Sequence, residues 1–513
     1  MSSDNRRIAK NSIFLSFRML LMMSISLYTS RVILNALGVE DYGIYNVVGG
    51  IVNLFAFING AMSLTTQRYV AYELGKGGNN QVRRIFNTCV IIHILIAILI
   101  IILSESVGLY LLEVHFTIPP ERMTAARWVY QLSILSCVTM ILSTPYNGAI
   151  VAYERMQTFA YISLLETVLC LVVALIIRHG FFDNLIVYAI LLSLVKFVIQ
   201  LCYIVYCRKK IPEIQFTCDF DRKKFKQMLS FSSWTLFNNG SIIACGQGIN
   251  ILLNIFFNPV VNAARAIAVQ VETAVVSFSK NLQMAMNPQI IKSYATRGLD
   301  RYHSLIMISS KYAYFLMLLL SFPILLETDY VLELWLKIVP DYSVQFIRII
   351  LLIALVNTLS EPLNAAVTAT GKVKYFQAIS GVMLIGVLPV SFYLFKVWPY
   401  PSVVFAVYLT ASVAAYLYKL YYAVCNTGLQ FSEYLKNVIA RIAIVTMLAI
   451  LMAIFAKHFW EVRTVMFLGG ATAFYEIFIL LIIWQVGLSR HEKDKIKKSI
   501  KNLFFARFCT KKS

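Results

Sequence analysis

Nine Lys or Arg side chains lie inside the apolar stretches of this chain: Arg18, Arg31, Lys196, Arg265, Lys280, Lys311, Arg348, Lys419 and Arg441. Five Glu accompany them, Glu105, Glu166, Glu272, Glu361 and Glu476, and no Asp. An ion in hydrocarbon is costly, so such residues face a protein interior or a wet cavity and mark a function. The surplus of four positive charges is the chemistry of holding an anion.

Motifs for covalent chemistry are weak. Asp219-Phe220-Asp221 has the form of an Asp-x-Asp metal clamp, but it sits in a loop of 23 residues, Cys207 to Leu229, too short for a nucleotide-binding domain. Gly75, Gly77 and Gly78 form a turn without the Lys-Ser/Thr of a phosphate-binding loop. The six histidines, at 93, 115, 179, 303, 458 and 491, are scattered without ligand spacing. Neither an enzyme, a metal site nor a cofactor is implied.

The elements that must position the cations are membrane helices. The chain has 513 residues, is 59% hydrophobic and only 14% charged, with a mean hydropathy of +0.72. That composition excludes a soluble globular or disordered protein. Crossing a bilayer takes roughly 20 apolar residues, and fourteen segments qualify: 13–36, 43–65, 87–110, 128–152, 159–177, 185–206, 230–254, 263–286, 305–326, 344–369, 376–395, 403–423, 438–456 and 464–487. The expected fold is an all-α polytopic membrane protein of fourteen transmembrane helices. Long unbroken runs argue against a β-barrel, whose strands alternate over about ten residues.

A net charge of +21 invites thoughts of nucleic acid, but its distribution says otherwise. With a cytoplasmic N-terminus the inner loops hold 30 Lys or Arg and the outer loops 7. That is the positive-inside signal, with both termini cytoplasmic and no nucleic-acid partner. In the basic tail from Arg490 to Lys512, Ile496, Ile500, Leu503 and Phe504 recur at helical spacing, as in a helix lying on anionic membrane lipids. None of the nine cysteines falls in an outer loop, so no disulfide framework is implied.

Segment 142–163 repeats as 359–380 at a constant offset of 217, with nine identities in 22 positions. The shared Ser143/Ser360, Pro145/Pro362 and Asn147/Asn364 go beyond chance apolar likeness. Both copies join the end of one span to the start of the next, spans four and five or ten and eleven. The repeat is therefore six helices in a common orientation, a parallel repeat. This sets an N-terminal bundle over 1–212, a second over 213–430, helices 13 and 14 over 431–488 and the basic tail over 489–513. Pro145 and Pro362 should kink their helices.

At about 100° per residue, Arg265, Glu272, Ser279, Lys280, Gln283 and Asn287 share one face of the eighth span. The seventh span lines up Asn239, Gln247, Asn250 and Asn254; the second repeats Asn46, Asn53, Gly60 and Gln67 every seven residues; the first adds Arg18, Arg31 and Asn35. Such stripes either line a cavity or bind helices to one another. For Arg18, Arg31, Arg265 and Lys280 the shortage of acids favours the cavity. Lys196 is placed to pair with Glu166 on the preceding helix, about 4.5 Å away in depth. Lys311, Arg348, Lys419 and Arg441 lie toward helix ends, where long side chains snorkel.

The stretch Leu37-Gly38-Val39-Glu40-Asp41-Tyr42-Gly43-Ile44-Tyr45, with Gln67-Arg68-Tyr69 beyond it, resembles the Wzx-type O-antigen and polysaccharide flippases of the multidrug/oligosaccharidyl-lipid/polysaccharide exporter superfamily, a MATE-like architecture. The second half carries Phe257-Asn258-Pro259 where the motif would recur, so its role does not transfer there. The resemblance implies a bacterial inner-membrane protein that moves an undecaprenyl-diphosphate-linked oligosaccharide to the outer leaflet by alternating access. Arg18, Arg31, Arg265 and Lys280 would then hold the diphosphate. Asn35, Asn46, Asn53, Gln67, Asn239, Gln247, Asn250, Asn254 and Gln283 would line the glycan path. Glu272 is the candidate to couple transport to H+ or Na+. The alternatives are a drug or cation exporter of the same superfamily and a lipid-linked-sugar polymerase or ligase.

Overall fold

The structure, a computed structural model, describes residues 15, 17–26, 28–29, 31–33, 35–38, 41, 44–45, 48, 56–114, 118–178, 180, 183–215, 217, 221–257, 259–336, 339–459, 465–490 and 492–494. Asn46, Asn53, Asn258, Asp219, Phe220 and the tail from 495 onward lie outside them.

The described residues form helices and no strand. In chain order they are α1 (Phe17–Gly38), α2 (Ala56–Lys76), α3 (Asn79–Leu103), α4 (Leu109–Val114), α5 (Met123–Ala152), α6 (Met156–Ile177), α7 (Asn184–Lys210), α8 (Arg222–Phe256) and α9 (Pro259–Ala295). Then follow α10 (Leu299–Leu326), α11 (Thr328–Leu336), α12 (Ser343–Thr370), α13 (Lys374–Ile385), α14 (Val387–Val397), α15 (Val403–Thr427), α16 (Phe431–Tyr434), α17 (Ala440–Phe459) and α18 (Val465–Ile482).

Eleven helices among the described residues are long and apolar enough to cross a membrane, by length and composition. The expected fourteen is not reached on that measure. The difference is α2, α8 and α9, which fall where spans two, seven and eight were placed. Each is long, at 21, 35 and 37 residues. Their polar stripes, Arg265 to Asn287 on α9 for example, pull the mean hydropathy down. Beyond the expected end of the second span at Thr65, α2 continues to Lys76.

The chain divides into two compact units, and the division falls inside two continuous helices. One unit gathers Ile13–Asn239 with Ile291–Arg297, and the other gathers Gly240–Ile290 with Gly298–Ser513. The first is called the N-unit and the second the C-unit below. In the N-unit α5 packs against α7, α2 and α3, around Ile100, Val129, Tyr130, Ile134, Ile141 and Leu185. In the C-unit α12 packs against α15 and α10. Helices four and six of each repeat thus pair in the same way. Pro145 and Pro362 are buried inside α5 and α12 at equivalent positions.

Polar side chains fasten the helix ends. Arg122 bonds Asp41, just past α1, and Asp183 at 3.1 Å. Asp183 also caps α7, accepting from the N–H of Leu185 at 3.0 Å, which satisfies an orphan donor of its first turn. Asp41 belongs to the motif that carried the family resemblance, so at least part of that motif is a structural tie. At the opposite end Asn87 donates to Thr217 at 2.9 Å and Lys224 pairs with Glu73 at 3.3 Å.

The loops closing α5 and α12 share a backbone turn. Each ends with a left-handed residue whose N–H bonds a carbonyl three residues back: Glu154 to Val151 at 2.9 Å, Gly371 to Thr368 at 3.1 Å. Their φ angles are +59° and +80°, and they are related by the repeat offset. Gly is the natural residue there, and a side chain in this conformation costs on the order of 1 kcal/mol.

Candidate functional site

The nine cations separate by the partners the fold gives them. Lys196 pairs with Glu166 at 2.5 Å, the pairing expected from their depth. The pair lines a cavity of about 160 Å³ inside the N-unit with Asn59, Ser143, Thr144, Asn147 and Tyr203. Ser143 and Asn147 are repeat residues, so part of what the repeat preserves is the wall of this cavity.

Lys311 does not snorkel. Its side chain is only 5% exposed and meets the Glu492 carboxylate at 2.7 Å. Ser489 and Glu492 form a reciprocal cap: the Ser489 N–H donates to the carboxylate at 2.6 Å and the Glu492 N–H to the Ser489 hydroxyl at 3.2 Å. A cavity of about 180 Å³ lined by Ser304, Asn437 and this pair adjoins it. Burial alone would push the Glu492 carboxyl up, but the Lys311 ammonium and the Ser489 N–H outweigh it and hold it below its ordinary 4.5.

Arg348 pairs with Asp329 at 2.8 Å with both side chains well exposed, as expected near a helix end. Arg441 donates to the Gly487 carbonyl at 3.4 Å. Lys419 faces the Phe376 ring at 6.0 Å.

Arg265 and Arg18 are held differently. The Arg265 guanidinium, half buried, donates to the Asn250 side chain and, at 2.8 Å, to the Gly246 carbonyl. Asn250 in turn donates to Gln247 at 3.2 Å. This network joins three of the predicted residues on α8 and α9, within the C-unit. Glu272 lies two turns from Arg265 and two from Lys280 along α9, and neither is in an ion pair with it among the described residues. Tyr408, bonded to Asn357, also faces Arg265. Both sit on helices whose mean hydropathy hides single polar groups, and sequence reading missed them. Arg18 donates to the Ser163 hydroxyl at 3.0 Å and stacks on Phe159 at 4.7 Å, in the N-unit. Each guanidinium is met by neutral acceptors, and neither is in an ion pair among the described residues.

The remaining predicted residues are not drawn into that network. Arg31, Asn35, Asn254 and Lys280 are exposed. Gln67 donates to Ser63 at 3.0 Å, and Gln283, buried, to Ser279 at 3.4 Å, each within its own helix. Asn239 approaches Gly60 closely enough that a Cβ there would lie 3.8 Å from it. Arg68 was singled out only as part of a motif. It is buried against the Tyr69 ring at 4.2 Å and the Phe231 ring at 5.4 Å. No group of three or more His, Cys, Asp or Glu able to hold a metal occurs among the described residues.

The MatE family model matches residues 15–176. No curated protein matches the chain. Solved structures similar to it include a MATE mutant, with a TM-score of 0.72 and 13% identity over 83% of this chain and 99% of that one. A multidrug resistance MATE family transporter of the MOP superfamily in an outward-facing conformation has a TM-score of 0.71 at 13% identity, over 83% and 98%. A third is a MOP superfamily transporter from Pyrococcus furiosus Vc1, whose binding pocket of reverse polarity suggests a different function, with a TM-score of 0.68 at 13% identity over 83% and 98%. The chain is a multi-pass membrane protein with the fold of the MATE transporters.

Proposed function

We propose that this protein is a flippase that carries a lipid-linked oligosaccharide, joined through a diphosphate to an undecaprenyl chain, from the inner to the outer leaflet of a bacterial cytoplasmic membrane. The observation that supports it is Arg265, a half-buried guanidinium held by an amide and a carbonyl with no carboxylate on it among the described residues. A diphosphate supplies the charge that is missing, through the paired oxygens a guanidinium fork matches. Asn250 and Gln247 beside it are the amides that hydroxyl-rich sugars require. α2, α8 and α9 count as spans in this reading, which makes fourteen. Arg18, Arg31 and Lys280 are further stations for the diphosphate, and Glu272, between two cations on α9, is the coupling carboxylate.

The drug-exporter reading is supported by the likeness to a multidrug resistance transporter. The cation surplus opposes it, since organic cations call for acidic walls. Reconstitution in liposomes with a labelled diphosphate-linked oligosaccharide lipid separates the two readings. Wild type is expected to move the label between leaflets and Arg265→Ala to do so at a tenth of the rate or less. Normal transport by the variant removes Arg265 from the site, and transport of cationic drugs alone removes the flippase.

A further inference from the structure

The loop after α5 uses a Glu where its repeat counterpart uses Gly, and the difference has to be explained by the side chain. At Glu154 the chain turns as at Gly371: the Glu154 N–H reaches Val151 and the Arg155 N–H reaches Ile150 at 3.0 Å, the double closure of a helix C-terminus that glycine favours. The backbone gains nothing from a Cβ here. What Glu154 adds is a carboxylate, only 5% exposed, that accepts from the Lys292 ammonium at 2.7 Å.

Lys292 lies one turn from the end of α9. Most of α9 belongs to the C-unit, yet Ile291–Arg297 is grouped with the N-unit. A second contact presses the same turn into place: a Cβ on Gly75 of α2 would come within 2.7 Å of the Ala295 Cβ and 2.9 Å of the Lys292 carbonyl. Nearby, Arg68 on α2 faces Glu73 of the same helix and Tyr294 of this turn, and Lys224 pairs with Glu73. The Lys292 side chain is 25% exposed, so water reaches one partner of the Glu154 pair. A half-hydrated pair parts more readily than a sealed one.

We propose that Glu154 and Lys292 form a releasable latch at the basic-loop end of the protein, holding the last turn of α9 to the N-unit in one phase of transport and freeing it in another. This rests on the reading of the protein as an alternating-access transporter. The second repeat, with Gly371, has the turn without the latch.

Hydrogen–deuterium exchange of the full chain in lipid nanodiscs tests it without any substrate. In wild type, residues 291–297 are expected to exchange as two populations, one protected and one open. In Glu154→Gln, which keeps the backbone strain, and Glu154→Gly, which relieves it, the protected population should fall at least fivefold. Glu154→Gly should melt no lower than wild type, which separates the latch from folding. If the variants keep the wild-type pattern, the pair holds nothing. If wild type shows one protected population that opens only in the variants, the pair is a static staple, and the latch is wrong. A wild type that fails to flip the oligosaccharide lipid overturns the proposed function and leaves the exchange result standing.

Discussion

Two cations of the C-unit, Lys311 on α10 and Arg265 on α9, look alike in sequence, each a single charge in an apolar helix. In the fold one is paired with a carboxylate and buried, and the other is held by an amide and a carbonyl. The difference teaches that a buried charge is assigned by the kind of partner it meets. A carboxylate cancels the field, so the pair can only hold structure together. An amide and a carbonyl orient the guanidinium without cancelling it, so the field remains available to a ligand.

The largest expected effect tests the sealed side of that comparison. Lys311→Ala strands the Glu492 carboxylate and should destabilise the protein by about 3–5 kcal/mol, read as a fall in melting temperature in detergent. Replacing both, Lys311→Met with Glu492→Leu, should recover most of the loss. If the single variant melts like wild type, the pair is not the staple described.

The same pair has a pH signature. The folded-state value of Glu492 is depressed, so its contribution is complete above the unfolded value and is lost as pH falls through the folded one. The stability gap between wild type and Glu492→Gln should therefore hold steady from neutral pH down to 4.5 and close below it. A gap that widens with acid contradicts the assignment.

On the charged side, Arg265→Ala loses charge-assisted hydrogen bonds to the Asn250 side chain and the Gly246 carbonyl but strands no charge, so it should cost less than Lys311→Ala, about 1.5–3 kcal/mol. A charge-assisted bond to a phosphate contributes about 1.5–3 kcal/mol, so binding of the diphosphate lipid should weaken by roughly 10- to 150-fold. Arg265→Lys should recover only part, because an ammonium lacks the two-pronged fork. A variant that loses as much stability as Lys311→Ala and keeps binding would reverse the roles of the two cations.

The smallest effect calibrates the scale. Arg348 is also paired with a carboxylate, but both side chains are well exposed, so Arg348→Ala should cost under about 1 kcal/mol and leave transport unchanged. A larger loss would mean that exposure does not separate the two classes.

Much of this was legible in the sequence because the signals were local. Apolar runs located the helices, and the close depths of Lys196 and Glu166 on consecutive helices predicted their bond. Lys311 was misread because its partner lies 181 residues away, past the last span, in a segment whose lysines suggested only a surface tail. The partners of the polar faces were legible only in part. Helical spacing put Gln247, Asn250 and Arg265 on polar faces, but the same spacing gave Gln67 and Gln283 to bonds within their own helices. Periodicity reports which face is polar and is silent on what that face meets. Glu154 carried no signal in composition or period. Only its backbone angle, set beside Gly371, marks it out.

Arg122 has a consequence for how the chain is made. Its first partner, Asp41, leaves the ribosome 81 residues earlier, and its second, Asp183, follows 61 residues later. During synthesis Asp41 is thus without Arg122 until α5 begins to emerge, and the knot is not tied until α7 arrives. A nascent chain released before position 183 cannot complete the clasp.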